Sequence, residues 1–414
     1  MPALLDTRKA DFEQQFRTLL EAKRETADDV NAAVAAIIAD VRARGDVALT
    51  EYTKRFDGLD LKPHALRIGG DEIAEAAKQV PPAERAALHR AADRIRVFHE
   101  RQLPKDDRFT DENGAELGYR WTALSSVGLY VPGGKAAYPS SVLMNAVPAQ
   151  VAGVKRLAMV VPTPRGELNV LVLAAAQIAG VTEVYRVGGA QAVAALAFGT
   201  QTIVAVDKIV GPGNAYVAAA KRQVFGTVGI DMVAGPSEIL VLADKDNNPD
   251  WIAADLLSQA EHDETAQSIL ITDDAAFAER VRVAVERTLA TLPRAKIAGA
   301  SWQHYGAIIV ARSLEEGARL VDRIAPEHLE IATAEPDSLA GLVTHAGAIF
   351  LGRMTPEAIG DYVAGPSHVL PTARAARYAS GLSVLDFVKR TSLVRYDARS
   401  LAALGPTAAT LADA

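Results

Sequence analysis

Ala325-Pro326-Glu327-His328-Leu329 sets a carboxylate and an imidazole side by side after a proline, whose fixed φ stiffens the backbone that carries them. Adjacent side chains on a strand or turn can reach one cleft. A histidine that titrates near neutrality beside a carboxylate is the equipment of general acid/base chemistry. A solvated Glu-His pair is the commoner fate of an isolated dipeptide. Gln259-Ala-Glu-His262-Asp263-Glu264 closes an Ala/Leu-rich stretch, and its i, i+3 spacing puts Gln259 and His262 on one helical face, within reach of one ion. A histidine near carboxylates at a helix end serves more often as a cap or surface group. Asp361, beside Gly360, is a third candidate, with helix capping as its ordinary alternative. Cysteine is absent from the 414 residues, which excludes disulfides, thiolate metal sites and cysteine nucleophiles by counting.

Phosphate chemistry would fall to three glycine-rich turns, Val131-Pro-Gly-Gly134, Val187-Gly-Gly-Ala190 and Val210-Gly-Pro-Gly-Asn214. Helix N-termini at the carboxyl ends of parallel strands form an anion site suited to a pyrophosphate. The same glycines serve equally well as tight turns alone. The single G-x-G, Gly211-Pro-Gly213, continues Asn214-Ala215-Tyr216 and does not complete the dinucleotide fingerprint. Gly128 to Lys135 misses the spacing of a P-loop by one residue, and Ala136 replaces the Ser/Thr that would bind Mg²⁺, so an NTPase is rejected.

The elements that must position these residues follow from patterning. From Val127 onward short β-branched runs alternate with Ala-rich segments, the texture of βαβ units and a mostly parallel sheet. Strands are expected at Val127–Val131, Leu157–Val161, Glu183–Val187 and Lys208–Val210, with helices at Val142–Val151, Asn169–Ala179 and Ala190–Phe198. A second series, Ile239–Leu242, Ser268–Thr272, Ala307–Val310, Leu329–Ala332 and Ala348–Leu351, makes a second α/β domain joined near residue 236. Residues 1–110 read as helical and are given no chemistry. Asp231-Met-Val-Ala-Gly-Pro-Ser237-Glu-Ile-Leu240 recurs as Asp361-Tyr-Val-Ala-Gly-Pro-Ser367-His-Val-Leu370, eight of ten positions matching closely, and suggests a duplicated unit.

Composition sets the outer limits. With 49% hydrophobic and 23% charged residues the chain is a folded, soluble protein of two or three domains, and a net charge of -7 argues against a nucleic-acid partner. The longest apolar stretch, Val170–Val181, is broken by Gln177 and is too short to span a bilayer, so no membrane segment is expected. Asp6, Lys9, Asp11 and Glu13 are incompatible with a secretory signal, and a cytoplasmic location follows.

Taken together, Gly128-Leu-Tyr-Val-Pro-Gly-Gly134, Tyr138-Pro-Ser-Ser141, Val187-Gly-Gly-Ala-Gln191, Gly211-Pro-Gly-Asn-Ala-Tyr216, Ala234-Gly-Pro-Ser-Glu238, Gln259-Ala-Glu-His262, Pro326-Glu-His328 and Gly360-Asp-Tyr362 resemble the histidinol dehydrogenase family, in family order from about residue 20 to the last. The resemblance implies two successive NAD-dependent oxidations, L-histidinol to L-histidinaldehyde to L-histidine, the last steps of histidine biosynthesis, with one Zn²⁺ per subunit. It implies an α/β fold of two incomplete Rossmann-like parallel-sheet domains with small helical terminal segments, assembled as a homodimer with shared active sites. The division carried over is 1–24 as an N-terminal helical segment, 25–126 plus 237–381 as the α/β domain with metal and catalytic residues, 127–236 as the NAD-contacting domain, and 382–414 as a dimer-wrapping segment. By motif, Tyr130, Gln191 and Asn214 are expected NAD contacts, and Gln259, His262 and Asp361 zinc ligands. Glu327 and His328 are the expected catalytic pair, and Ser237 joins Gln259, His262, Glu327, His328 and Asp361 around the substrate. One amide oxygen, one carboxylate and one imidazole suit Zn²⁺ and leave room for substrate nitrogens. His328 is expected to take the hydroxyl proton in the first oxidation. Without a cysteine the aldehyde must be hydrated before the second, and Glu327 is the expected base that activates the water. The family pattern near the C-terminus resembles L-A-x-A-E-x-L-x-x-H; here the chain reads Leu411-Ala-Asp-Ala414, so the Glu and His of that pattern fall just beyond it, and either a tail that continues past Ala414 or a truncated segment with an impaired metal site is expected.

Overall fold

In a computed structural model that describes residues 2–22, 28–133 and 138–414, the apolar runs form two six-stranded sheets. The first sheet is parallel throughout, in the order Ala3–Asp6, Ala307–Val310, Gln267–Thr272, Glu238–Ala243, His328–Ala332, Ala348–Leu351. The second runs Arg67–Ile68, Glu183–Tyr185, Arg156–Val160, Ser126–Tyr130, Lys208–Val210, Gly229–Ile230, with only Arg67–Ile68 antiparallel. The central strands are buried on both faces, which is why Glu238–Ala243 and Gln267–Thr272 read as continuous apolar runs rather than alternating ones. A three-stranded antiparallel sheet joins Val388–Arg395, Glu116–Ala123 and Asp107–Thr110, so part of the 382–414 segment pairs within its own chain.

The expected fold class, with two Rossmann-like parallel sheets, is the one observed, and the expected strands lie within two residues of their observed ends. Residues 1–110 are not helical throughout: Ala3–Asp6, Arg67–Ile68 and Asp107–Thr110 are strands. All three are short and lie at sheet edges, where the partner rather than local periodicity makes the strand.

The stretch from 28 to 100 is also displaced from its expected side. Helix Asp28–Arg44 packs Val34, Ile37, Ile38 and Val41 among Ala192, Val193 and Leu196, and helix Pro82–Glu100 packs Leu88, Ala91, Ala92 and Ile95 among Val142, Leu143 and Val147. Both cover the second sheet, not the sheet of residues 237–381. It is instead the N-terminal segment that completes the first sheet, with Leu5 and Phe16 in a core with Leu320 and Ile324. The expected 24/25 boundary falls outside the described residues, as does Gly134 of the first glycine-rich turn. The repeated decapeptide is not a duplicated unit: its first copy leads into the strand Glu238–Ala243, whereas its second leaves the short helix Ala358–Tyr362 and stays a loop.

His328 and Glu238 each begin a strand of the first sheet. Tyr130 ends a strand of the second, and Gly189 and Gly211 follow two others. The chemistry-bearing residues therefore gather at the amino ends of one sheet and the carboxyl ends of the other.

Candidate active site

Ala325 caps the helix Leu314–Ile324 in a left-handed conformation (φ 51°), a costly choice for a residue with a Cβ. It turns the chain so that Pro326 and Glu327 lead directly into the strand that His328 opens. Glu327 and Glu238 grip each other's backbone: the Glu238 N–H donates to Glu327 Oε2 at 2.9 Å, and the Glu327 N–H donates to Glu238 Oε2 at 3.3 Å. His328 Nδ1 lies 2.9 Å from the Glu238 carbonyl, which can only accept, so Nδ1 carries the proton and Nε2 presents a lone pair. That Nε2 faces Glu357 Oε1 at 3.5 Å. Burial pushes the Glu327 carboxyl up to about 8, against the opposing pull of His328 and the Glu238 amide. Burial alone would lower the His328 imidazole, but the carboxylates of Glu327, Glu357 and Asp361 outweigh it and raise it above its ordinary value. Both groups thus hold their protons more tightly than free side chains of their kind.

Beside this pair, His328, Glu357 and Asp361 bring one ligand atom each within 4.8 Å of one another. Glu357 is fully buried, its Oε2 accepting from Ser258 Oγ at 3.0 Å while Oε1 has no hydrogen-bond partner. Burial raises the Asp361 carboxyl, but its hydrogen bond to His368 and the charges of His368, His328 and His262 prevail and hold it below its ordinary value. Gln259 is buried in the last turn of helix Pro249–Ala260, next to Ser258. His262 follows in the turn, exposed, with Nδ1 2.8 Å from the Ser258 carbonyl. One helix end thus brings Ser258 to Glu357 and the charge of His262 to bear on Asp361, with Gln259 in the same last turn. Ser237 stands one residue before the strand Glu238–Ala243, its carbonyl accepting from the Gln267 N–H at 2.9 Å.

At the carboxyl end of its strand in the second sheet, Tyr130 is buried, which pushes its hydroxyl up to about 12, and its Oη accepts from the Gly189 N–H at 3.0 Å. Gln191, in the first turn of helix Gly189–Phe198, has a buried Oε1 without a partner. Asn214 caps helix Ala215–Val224 through the N–H groups of Tyr216 and Val217. A Cβ on Gly211 would stand 2.1 Å from the Tyr130 carbonyl oxygen, so the two turns touch backbone to backbone.

Sequence reading missed Glu357, His368 and Ser141 as members of this cluster. Pro356-Glu357 repeats the Pro326-Glu327 dipeptide, and His368 sits within the repeated decapeptide, so both had a signal. Ser141 Oγ reaches His368 Nε2 at 3.3 Å only because a helix and a loop remote in sequence are folded together.

The chain matches the family described as histidinol dehydrogenase over residues 20–414. It is 65% identical over 412 residues to a histidinol dehydrogenase of Ruegeria pomeroyi, covering 100% of this chain and 95% of that protein. It is 66% identical over 415 residues to one of Rhodospirillum rubrum, covering 100% and 96%. The crystal structure of histidinol dehydrogenase from Elizabethkingia anophelis superimposes with a TM-score of 0.94 at 35% identity, covering 100% of this chain and 94% of that one. Matched in sequence over nearly its whole length and in fold, the chain belongs to the histidinol dehydrogenase family.

Proposed function

We propose that the chain oxidises L-histidinol twice at the cleft between the two sheets, with Glu327 and His328 as its bases, NAD⁺ as the acceptor and Zn²⁺ as the resident metal. The observation that carries this reading is the cluster at the amino end of the first sheet, where Glu327 and His328 lie against Glu238, Glu357 and Asp361, tied by the Ser141–His368 hydrogen bond to the helix after the first glycine-rich turn.

The residues present fit both groups. Gln191 Oε1 is a buried acceptor without a partner beside turns that have no room for a Cβ, as expected of a surface that receives a dinucleotide. Tyr130, Gln191 and Asn214 would hold it. Gln259, His262 and Asp361 offer an amide oxygen, an imidazole and an ionised carboxylate, a donor set suited to Zn²⁺. NAD⁺, when bound, supplies the hydride acceptor, and Zn²⁺ supplies a charge that orients the nitrogens of the substrate.

His328 Nε2 takes the hydroxyl proton as the carbinol C–H bond gives up its hydride, and the aldehyde forms. Its Nδ1–H stays bonded to the Glu238 carbonyl throughout, which fixes the tautomer. Glu327, held by the Glu238 amide, takes a proton from water as the oxygen adds to the aldehyde carbon. The resulting hydrate loses the second hydride and a proton to give the carboxylate. Ser237, one residue before the central strand, would contact the substrate.

The working unit in this reading is a cytoplasmic homodimer with shared sites. Val394, Leu401 and Leu411 of the C-terminal strand and helix are exposed apolar residues suited to cover by a second copy, which sedimentation would show as a dimer mass. No helix among the described residues is long and apolar enough to cross a membrane. The deciding assay mixes zinc-loaded protein, histidinol and NAD⁺ and follows NADH absorbance. Two NADH per histidinol are expected, and no NADH overturns the proposal.

A further inference from the structure

We propose that the buried ion pair Lys221–Asp231 is a positioning device that holds the Gly211–Asn214 turn in its cofactor-receiving shape; the proposal rests on the NAD⁺ reading of that turn. Lys221 lies in the second turn of helix Ala215–Val224, and the two side chains are 2% and 0% exposed. The Lys221 ammonium pairs with Asp231 Oδ1 and also donates to the Gly211 carbonyl at 3.0 Å. Asp231 Oδ2 accepts the Gly211 N–H at 2.8 Å, and Oδ1 accepts the Met232 N–H at 2.6 Å. Both backbone polar groups of Gly211 therefore end on the pair.

Gly211 needs such a fixture. Its φ of +112° belongs to a region open to glycine, and its backbone passes so close to the Tyr130 carbonyl that no Cβ fits. A glycine with that freedom does not choose this conformation unaided. The turn it controls carries Asn214 and abuts Tyr130, two of the three groups assigned to the cofactor. Burying an ion pair is no route to stability in itself, since desolvation offsets its attraction and well-packed apolar residues often serve as well. What an ammonium and a carboxylate do here that apolar residues could not is bond a carbonyl and an N–H of the same residue from opposite sides. The repeated decapeptide sharpens the contrast. Asp361, which opens one copy, lies among potential ligands of an ion, whereas Asp231, which opens the other, faces the chain's own ammonium.

The test compares the parent enzyme with K221M and with K221M/D231N, in which no unpaired charge is left buried. KM for NAD⁺ should rise about tenfold or more in both, while KM for histidinol moves less than about twofold, because a small misplacement of positioning groups is felt by the ligand they serve. An unchanged KM for NAD⁺ in a folded double variant, or an equal rise in both KM values, overturns the proposal. A parent enzyme that neither binds nor reduces NAD⁺ overturns the cofactor reading and this proposal with it. If the variants do not fold, hydrogen exchange in the parent decides. The Gly211 amide should be protected before any cofactor is added, and rapid exchange there refutes a preformed turn.

Discussion

Ser141, on the helix that follows the first glycine-rich turn, shares a hydrogen bond of 3.3 Å with Nε2 of His368, in the loop after Asp361. The same ring places Nδ1 3.4 Å from Asp361 Oδ1, so a hydroxyl on the helix Pro139–Val151 steadies, through His368, an acid more than 200 residues later. Ser141→Ala should raise KM for histidinol by about fivefold, the worth of one net hydrogen bond of about 1 kcal/mol, and leave KM for NAD⁺ nearly unchanged. Steady-state kinetics with each substrate varied in turn check the asymmetry.

The two oxidations should separate by mutation. His328→Asn removes the base for the hydroxyl proton and should slow histidinol oxidation about 10²- to 10⁴-fold. Glu327→Gln should fall mainly on histidinaldehyde oxidation, because only that step needs an activated water. Equal slowing of histidinol and histidinaldehyde turnover by Glu327→Gln would show that one group does not serve one step.

Activity should climb on the alkaline side of neutrality. Glu327, pushed up to about 8 by burial, must lose its proton to act as a base, and His328, itself raised, must do the same. The kcat/KM for histidinaldehyde should therefore rise through about pH 8, and Glu327→Gln should remove that limb of the profile. A rate flat from pH 6 to 9 would contradict the assignment.

Asp361 belongs both to the expected zinc set and to the cluster with His328 and Glu357, and two substitutions separate these. His262→Asn should weaken zinc binding by at least about 10-fold, in line with the loss caused even by groups behind a ligand. Glu357→Gln should leave zinc in place and lower the rate instead, because Glu357 faces the Nε2 of His328. Competition with a chromophoric chelator measures both. The reverse ranking would move the metal toward His328.

Glu330 predicts a change in stability rather than rate. Burial, then the charge of Asp255 and a hydrogen bond to it, push the Glu330 carboxyl up to about 9, while burial pushes Asp255 up to about 6, so the pair retains a proton at neutral pH. A carboxyl whose pKa rises on folding contributes stability below its unfolded pKa and loses it as pH climbs through the folded value. The parent should thus lose melting temperature between pH 7 and 10, and Glu330→Gln, neutral throughout, should lose less. Calorimetry at the two pH values checks it.

Much of this was legible in the residues. Glu238–Ala243 and Gln267–Thr272 announce themselves because strands buried on both faces are apolar without a break. Pro326-Glu327-His328 and Gly360-Asp361 were visible because a stiff or a flexible neighbour marks a placed side chain. Ala3–Asp6 was not, since four residues carry little pattern and the partner Ala307–Val310 is remote. The helices at 28–44 and 82–100 show that an apolar face must be covered, not which sheet it covers. Glu357 and Ser141 gain their roles only where separate segments meet, which no local spacing encodes.

Because Ala3–Asp6 docks on Ala307–Val310, about 300 residues later in the chain, the first sheet cannot be completed until most of the protein has been synthesised. Residues 28–230 close their own sheet well before that, from elements near one another in sequence. On the ribosome the second sheet can assemble while the first four-residue strand waits, its apolar Leu4 and Leu5 unpaired. The nascent chain can thus carry the Gly188–Gly189 and Gly211–Asn214 turns in finished form before Glu327 and His328 have been translated.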